Sequence, residues 1–314
     1  MVLVSIGVPV HNGEKYLAET LDSLLAQTIE DFEIVISDNA STDRTSEICR
    51  LYQEKDPRVR YFRNDQNIGL ALNFNRVLEL SCGPFFHGGS CDDLYEPPFL
   101  ERCVDALRGD SGVVLSHTRT RMIGDGGEPL LFDQQRDCYI DSYGDVQGTC
   151  GDVMRPQPFH IAEADRPEMR FRDVLWTMGW ALPLSGVIRR EALLRTALYG
   201  NYYGADKVLL AELALHGRFH QIGEELYAKR IHRGCTNYKT TRERAEYQCK
   251  EPSGIPQVKM LQDYARMTLA GDMSVRQRLH CMVTILGMAQ RREAWRRLLV
   301  PGPDNYFGLS FSGR

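Results

Sequence analysis

Two adjacent carboxylates, Asp92 and Asp93, are the residues with the clearest chemical potential in the chain. They stand in the segment 85–98, FFHGGSCDDLYEPP, where two aromatic residues could end a buried strand, two glycines begin a turn and two prolines prevent continuation. Carboxylates at a strand end are costly unless water or a cation compensates their charge, and a divalent metal carrying a diphosphate is a natural partner. A solvated Asp-Asp turn is the alternative, because turns are rich in Asp.

The chain before this pair alternates between apolar runs and helical patterns. Residues 2–10, 32–37 and 59–62 are apolar runs rich in β-branched or aromatic side chains, which is typical of strands in a buried sheet. Each run is followed by leucines, isoleucines or valines at helical spacing. The pattern predicts a doubly wound α/β sheet, in which ligands bind at the carboxyl ends of the strands.

Polar side chains follow each of these predicted strands. His11, Asp38, Asn67 and Asp92 all fall at or just after a carboxyl end. Because the carboxyl ends of parallel strands meet at one edge of a sheet, we expect these side chains to converge. This convergence favours a nucleotide pocket with a metal site over an isolated turn.

The bulk composition excludes several classes of protein. The chain has 314 residues, of which 43% are hydrophobic and 25% charged, so one or two globular domains are expected. The net charge of -4 argues against a protein that coats nucleic acid, and nine cysteines without a CxxC pair fit reduced thiols. The start of the chain lacks the pattern of a signal peptide, and no apolar run approaches the roughly 20 residues that span a bilayer. We therefore expect a cytoplasmic protein, either soluble or peripheral at the inner face of the membrane.

Four motifs in order resemble a known family. They are VSIGVPVHNGEKYLAETLDSLLAQT, FEIVISDNASTDRT, NIGLALNFN and the Asp-Asp turn. Together they resemble the donor-binding half of family-two glycosyltransferases, closely over about residues 2–110 and more loosely to about residue 235. The resemblance implies a GT-A fold: a Rossmann-like, mostly parallel sheet flanked by helices. It divides the chain into a nucleotide-sugar-binding half (1–110), an acceptor-binding half (111–235) and a lid with a C-terminal helical extension (236–314).

The resemblance also implies which residues bind the donor, a nucleotide-diphosphate sugar with UDP as the expected nucleotide. Asp38 matches the acid that binds a uracil-type ring or the ribose, with Asn39 beside it. The other matching positions are in the loop after the first strand, in the third motif and in the Asp-Asp turn: Pro9, His11, Asn12, Glu14, Asn67, Gly69, Asn73 and Asp92.

Metal binding is implied by the same resemblance. Asp93 matches the acid that usually touches Mn²⁺ or Mg²⁺, so we expect it to contact the metal more directly than Asp92. Arg230 and His232 lie two positions apart, so on an extended segment their side chains point to the same side. Both could therefore face the diphosphate or the metal. No Walker-type GxxxxGK[ST] motif is present to bind phosphate instead.

Asp206 occupies the position of the family's catalytic base, although its usual acidic neighbour is replaced by Ala205. Helix capping is the simpler alternative for an acid near a helix start. As a base, Asp206 would deprotonate an acceptor hydroxyl in an inverting displacement. The acceptor itself is not specified, and glycan, polysaccharide and glycolipid acceptors all fit.

Residues 275–300 combine aliphatic side chains with arginines. This pattern fits a basic amphipathic element on an anionic membrane, or helices packed on the domain with exposed arginines. For the whole chain, a nucleotidyltransferase and a non-catalytic protein that binds sugar nucleotides remain alternatives to a glycosyltransferase.

Overall fold

The protein is described by a computed structural model. The described residues are 1–133, 135, 138–141, 143–147, 161–177, 181–234, 241–249 and 255–290.

The strands form one large and one small sheet. In chain order they are β1 (Val4–Val10), β2 (Phe32–Asp38), β3 (Val59–Arg63), β4 (Phe85–Gly88), β5 (Leu94–Tyr95), β6 (Val113–Ile123), β7 (Leu131–Asp133), β8 (Cys138–Ile140), β9 (Val146–Gln147), β10 (Val187–Arg189) and β11 (Arg218–Arg230). The helices are α1 (Leu17–Leu25), α2 (Thr45–Lys55), α3 (Leu70–Glu79), α4 (Phe99–Gly109), α5 (Pro167–Thr177), α6 (Arg190–Leu194), α7 (Ala205–His216), α8 (Thr241–Gln248), α9 (Pro256–Ala270) and α10 (Val275–Ala289), with a 3-10 helix at Leu182–Ser185.

The large sheet has the order β3-β2-β1-β4-β10-β6-β11-β5. Strands β3, β2, β1 and β4 run parallel, as the alternating pattern predicts. Strand β10 then runs antiparallel to both β4 and β6, while β6 and β11 run parallel to each other. The predicted α/β fold with a mostly parallel sheet is confirmed, and the short antiparallel strands β5 and β10 are features that the sequence pattern did not predict.

Helices cover both faces of the sheet, which explains why every residue of β1 and β2 is buried. One core cluster joins the sheet to α1 and α4, through residues such as Leu21 and Phe99. The other joins it to α3, α5, α7, α9 and α10, through residues such as Val77, Phe171 and Tyr264.

The predicted three-part division of the chain stays a prediction. Strand β10 pairs with β4, and β11 pairs with β5, so the first two predicted parts contribute to one continuous sheet. Helices α8, α9 and α10 lie in the third part, where helices were expected. Of the described helices, none is both long and apolar enough to cross a bilayer.

Candidate functional site

A cleft of about 790 Å³ opens where β1, β4 and β11 end. Its lining includes side chains from the loop after β1, from α3, from the turn after β4 and from the segment after β11. The lining residues include Pro9, His11, Asn12, Lys15, Tyr16, Leu70, Phe74, Cys91, Asp92, Asp125, Lys229, His232, Arg233 and Tyr247.

A smaller cavity of about 360 Å³ adjoins the cleft and shares part of its lining, including Pro9, His11 and Tyr247. Its remaining walls include Asn39, Asn67 and Asn73. The two cavities therefore make one groove along the carboxyl edge of the sheet, as expected for a doubly wound fold.

The loop after β1 is fastened to the loop after β2 by backbone-to-side-chain hydrogen bonds. Asn12, with a positive φ of 53°, accepts a hydrogen bond from the Thr42 amide at its Oδ1 (2.8 Å). The Gly13 amide donates to Thr45 Oγ1 (2.8 Å). Glu14 accepts from the Arg44 amide (3.1 Å) and does not line either cavity, so it helps to join the two loops. These contacts fix the backbone that presents His11 to the groove.

Three asparagines of the smaller cavity wall, Asn39, Asn67 and Asn73, belong to one hydrogen-bond network with Asn64. Asn39 donates to Asn67 Oδ1 (2.9 Å), and Asn64 donates to both Asn39 Oδ1 (3.1 Å) and Asn73 Oδ1 (3.0 Å). Gly69 lies at the start of α3, and its amide donates a hydrogen bond to Asn67 Oδ1 (2.9 Å). Its φ of 85° is a backbone conformation that is unfavourable for residues with a side chain. Asn39, Asn67, Gly69 and Asn73, all predicted to bind the nucleotide, are thus brought together.

Asp38 is directed away from the groove. Its side chain has no exposed surface and accepts hydrogen bonds from Ser46 Oγ (2.8 Å), Tyr61 OH (2.9 Å) and Arg63 Nη1 (2.5 Å). Burial would raise the pKa of Asp38, but hydrogen bonds from Ser41, Ser46 and Tyr61 lower it overall. Asp38 therefore orders the end of β2, and its neighbour Asn39 is the residue that reaches the cavity.

Asp92 and Asp93 point in opposite directions. The Asp92 side chain is 21% exposed and its Oδ2 lies 2.9 Å from His232 Nε2, in the wall of the cleft. Asp93 is fully buried and accepts hydrogen bonds from Tyr227 OH (2.5 Å) and the Arg230 amide (2.8 Å). The expectation that Asp93 contacts a metal more directly than Asp92 does not fit this geometry.

The environments of the two acids also separate their pKa values. Burial acts to raise the pKa of Asp92, but the hydrogen bond with His232 and the charge of Lys229 lower it overall. Burial raises the pKa of Asp93, and the charge of Asp92 adds to this rise against the opposing charge of Lys229. Asp92 is therefore the acid held in its charged form toward the groove.

His232 is held between its acid partner and an aromatic ring. The ring of Tyr16 lies 4.6 Å from that of His232, and the Tyr16 hydroxyl donates to Asp125. Lys15 pairs with the same Asp125 carboxylate at 2.6 Å. The sequence analysis did not predict a role for Lys15, Tyr16 or Asp125. Lys15 and Tyr16 nevertheless belong to the HNGEKY motif after β1.

Arg230 does not share the position of His232. Its side chain is 1% exposed, and its guanidinium group lies 4.8 Å from the centroid of the Tyr16 ring. It donates to the Asp92 carbonyl oxygen (2.8 Å) and to Glu19 Oε2 (2.6 Å). Arg230 is the last residue of β11, and its side chain is buried behind the cleft wall, where it binds Asp92 and Glu19. His232 lies beyond the end of the strand and lines the cleft.

Asp206 lies in the first turn of α7 and is partly buried. Gly204 occupies the N-cap with φ 92°, so the capping alternative for Asp206 is wrong. Asp206 is not among the described residues that line the groove. Burial, and after it the charge of Asp206, raises the pKa of Tyr199, whose ring stacks on Phe74 of the cleft wall with centroids 5.1 Å apart.

The cleft has the composition of a site for an anion and a cation together. Lys229, His232 and Arg233 line it on one side. His11 Nδ1 is buried and has no hydrogen-bond partner among the described residues, so a polar group of a ligand would satisfy it.

The described residues do not contain a group of three His, Cys, Asp or Glu side chains placed to hold a metal. Asp92 and His232 nevertheless offer an oxygen and a nitrogen that already lie 2.9 Å apart beside the cleft. Two protein ligands suffice for a divalent ion that shares its coordination with a diphosphate and water. The residues present therefore fit Mn²⁺ or Mg²⁺.

Comparison with known proteins finds a family model that matches part of the chain. The model of glycosyl transferase family 2 matches residues 5–143. A chondroitin synthase from Escherichia coli is 36% identical over 121 residues, which are 38% of this chain and 18% of that protein. An uncharacterized glycosyltransferase from Rickettsia typhi is 38% identical over 132 residues, which are 41% of this chain and 40% of that protein. The chain thus spans less than half of the length of these relatives.

Solved structures extend the likeness to nearly the whole chain. S. aureus TarS residues 1–349, solved in complex with UDP-GlcNAc, matches 95% of this chain and 76% of its own with a TM-score of 0.65 at 17% identity. The mannosyltransferase PcManGT from Pyrobaculum calidifontis, in complex with GDP-Man and Mn2+, matches 97% of this chain and 82% of its own with a TM-score of 0.51 at 16% identity. Residues 5–143 thus match the model of glycosyl transferase family 2, and the fold of the chain is of the GT-A type.

Proposed function

We propose that this protein transfers a sugar from a nucleotide-diphosphate sugar to an acceptor hydroxyl. The observation that carries the proposal is the single groove in which the Asp92–His232 pair adjoins the asparagine-lined cavity. The match of residues 5–143 to the family model supports the reaction class, and the ligands named for TarS and PcManGT are sugar nucleotides.

The smaller cavity accommodates the base in this proposal, with UDP as the expected nucleotide. Tyr247 offers an aromatic face there, and Asn67 and Asn73 offer amide groups. The diphosphate then lies in the larger cleft beside Lys229 and Arg233, whose positive charges attract it. Pro9 and His11 line both cavities and would contact the nucleotide between them.

We assign metal binding to Asp92 and His232. Asp93 is assigned a structural role, in which its hydrogen bonds with Tyr227 and the Arg230 amide hold the turn that carries Asp92. Bound Mn²⁺ or Mg²⁺ would neutralise the charge that develops on the departing diphosphate. His232 is kept in place by Tyr16 and by its contact with Asp92. Lys229 and Arg233 add fixed positive charge to the same side of the cleft.

We assign Asp206 as the general base on the acceptor side. It would take the proton of the acceptor hydroxyl as the acceptor oxygen bonds to the sugar C1 and the bond from C1 to the diphosphate oxygen breaks. This single displacement inverts the configuration at C1. Glycans, polysaccharides and lipid-linked glycans are the proposed acceptors.

Contact with a membrane surface is part of the proposal. Helix α10 exposes Val275, Leu279, Val283 and Leu286 along one side, with between 58% and 74% of each side chain accessible. Arg276 adjoins this stripe, and α10 contains no acidic residue. Such a surface suits an anionic lipid bilayer at the cytoplasmic side, where a lipid-linked acceptor would be found.

A thermal-shift screen tests donor binding. UDP, GDP, dTDP and CDP sugars are compared with and without Mn²⁺, and we expect a rise in melting temperature that requires both a UDP-sugar and the metal. Asp92→Asn should abolish the metal-dependent part of this rise. The matched control is Glu47→Gln, an acid of α2 that is 68% exposed and should leave the rise unchanged.

Product analysis separates the alternatives. UDP release together with a glycosylated acceptor supports the proposal. Binding of sugar nucleotides without hydrolysis or transfer across an acceptor panel would identify a non-catalytic binding protein, and pyrophosphate release from a nucleoside triphosphate and a sugar phosphate would identify a nucleotidyltransferase.

A further inference from the structure

The segment that leads into α7 is fastened to α3 by one asparagine side chain. Asn75 Nδ2 donates to the Tyr199 carbonyl oxygen (2.9 Å), and the Tyr199 amide donates to Asn75 Oδ1 (3.0 Å). Both ends of the side-chain amide are therefore used on one backbone residue 124 positions away. Two bonds to the same residue fix its orientation as well as its distance from α3.

The same helix contributes to the groove formed by the two cavities, which binds the donor in the proposed function and is called the donor groove. Leu70 lines both cavities, and Phe74 lines the larger cleft. The Phe74 ring stacks on Tyr199 with an interplanar angle of 24°. Helix α3 therefore contacts the donor groove through Leu70 and Phe74 and the segment before α7 through Phe74 and Asn75.

The segment before α7 contains backbone conformations that are unfavourable unless contacts with other elements stabilise them. Leu198 has φ 58° and Gly204 has φ 92°. For a residue with a side chain, such as Leu198, the left-handed conformation costs about 1–2 kcal/mol. Gln248 of α8 supplies a second tether by accepting a hydrogen bond from the Gly204 amide (3.3 Å). Its neighbour Tyr247 lines both cavities, so this tether also leads to the groove.

Asp206 follows directly on this tethered segment. Gly204 is the N-cap of α7 and Asp206 lies in its first turn. Burial raises the pKa of Tyr199, and the charge of Asp206 raises it further, so the two residues are electrostatic neighbours. Asp206 lies in the first helical turn after residues 199–204, so a shift of those residues would move the start of α7 that carries its carboxylate.

We propose that Asn75 is a positioning residue that holds Tyr199, and through it Asp206, in register with the donor groove. The inference rests on the proposed function, in which Asp206 is the base. A displacement of about 1 Å in a reacting group can cost on the order of 100-fold in rate. Loss of Asn75 should therefore lower transfer while leaving the donor groove itself intact.

The test compares Asn75→Leu and Asn75→Asp with Glu79→Gln, an exposed acid on the same helix. Transfer from UDP-GlcNAc to a panel of p-nitrophenyl glycosides and calorimetric binding of UDP-GlcNAc are measured on the same samples. We expect Asn75→Leu to lower kcat for transfer by about 10- to 100-fold, with the KM and the Kd for UDP-GlcNAc within about twofold of wild type. Asn75→Asp keeps the acceptor for the Tyr199 amide and should recover part of the rate, whereas Glu79→Gln should match wild type.

Hydrogen exchange gives a readout that does not depend on turnover. In Asn75→Leu the amides of residues 199–206 should lose protection, while those of residues 4–10 and 85–88 keep it. An unchanged kcat for transfer, a loss of UDP-GlcNAc affinity as large as the loss of kcat, or unchanged exchange at 199–206 would overturn the inference alone. A wild-type protein that binds no sugar nucleotide and transfers none would overturn the proposed function, and the inference with it.

Discussion

Replacement of Asp93 should damage the fold, whereas replacement of Asp92 should damage ligand binding. In Asp93→Ala the Tyr227 hydroxyl and the Arg230 amide, at 2.5 and 2.8 Å from the carboxylate, lose their acceptor inside the protein. Each buried donor left without a partner costs about 1–3 kcal/mol, so the free energy of unfolding should fall by about 2–6 kcal/mol. Because a folded domain is stable by only about 5–15 kcal/mol, this is a large part of the total.

Asp93→Asn is the matched variant. Its amide oxygen can still accept from the Arg230 amide, and it is neutral. Burial and the charge of Asp92 raise the pKa of Asp93, so a neutral side chain is tolerated better here than at an exposed acid. We expect a loss of about 1 kcal/mol or less for this variant.

Urea unfolding followed by intrinsic fluorescence measures the stability of Asp93→Ala, Asp93→Asn and Asp92→Ala, and calorimetry measures UDP binding with and without Mn²⁺. Asp92→Ala should unfold within about 1 kcal/mol of wild type, because its ion pair is partly exposed, yet lose metal-dependent binding. An unfolding midpoint of Asp93→Ala equal to that of wild type would refute the structural role of Asp93. Metal-dependent UDP binding that survives in Asp92→Ala but is lost in Asp93→Asn would restore Asp93 as the metal ligand.

Two further predictions concern acid stability and membrane contact. His87 is fully buried, and burial lowers its pKa from 6.5 to about 4. Between these two pH values His87 is protonated in the unfolded chain but neutral in the folded chain. The free energy of unfolding should therefore fall by about 3 kcal/mol as the pH drops from 6.5 to 4. In His87→Asn the urea midpoint should depend less on pH over that window, and an unchanged dependence would contradict this origin. Leu279→Ser combined with Val283→Ser should reduce flotation with vesicles rich in phosphatidylglycerol by about tenfold, and equal flotation of variant and wild type would exclude α10 as the contact.

The fold could be predicted because its signals are local. The apolar runs and the helical spacing that follows them depend on a few neighbouring residues, and they fix the parallel strands β3, β2, β1 and β4. The carboxyl ends of such strands share one edge, which is why the sequence predicts that His11, Asn67 and Asp92 lie together. The short strands β5 and β10 carry too few residues to show a pattern, so only their partners in the sheet define them.

The orientation of neighbouring acids could not be predicted in the same way. Adjacent residues at a strand end point to different sides, and the buried partners available on each side select which residue turns inward. Asp38 turns toward Tyr61 and Arg63, which leaves Asn39 at the cavity. Both partners lie more than twenty positions along the chain, where sequence spacing carries no directional information.

What the sequence by itself determined was the α/β class, the edge of the sheet at which the candidate site lies and the motifs that gather there. Only the tertiary structure decided that Asp92 faces the cleft while Asp93 is buried against Tyr227. The physical reason is that local periodicity places a residue on an element, whereas the hydrogen-bond partners that stabilise a buried charge are brought in from distant parts of the chain. Asn75 shows the same limit: nothing in its own segment predicts that its amide binds Tyr199 and so bears on the position of Asp206.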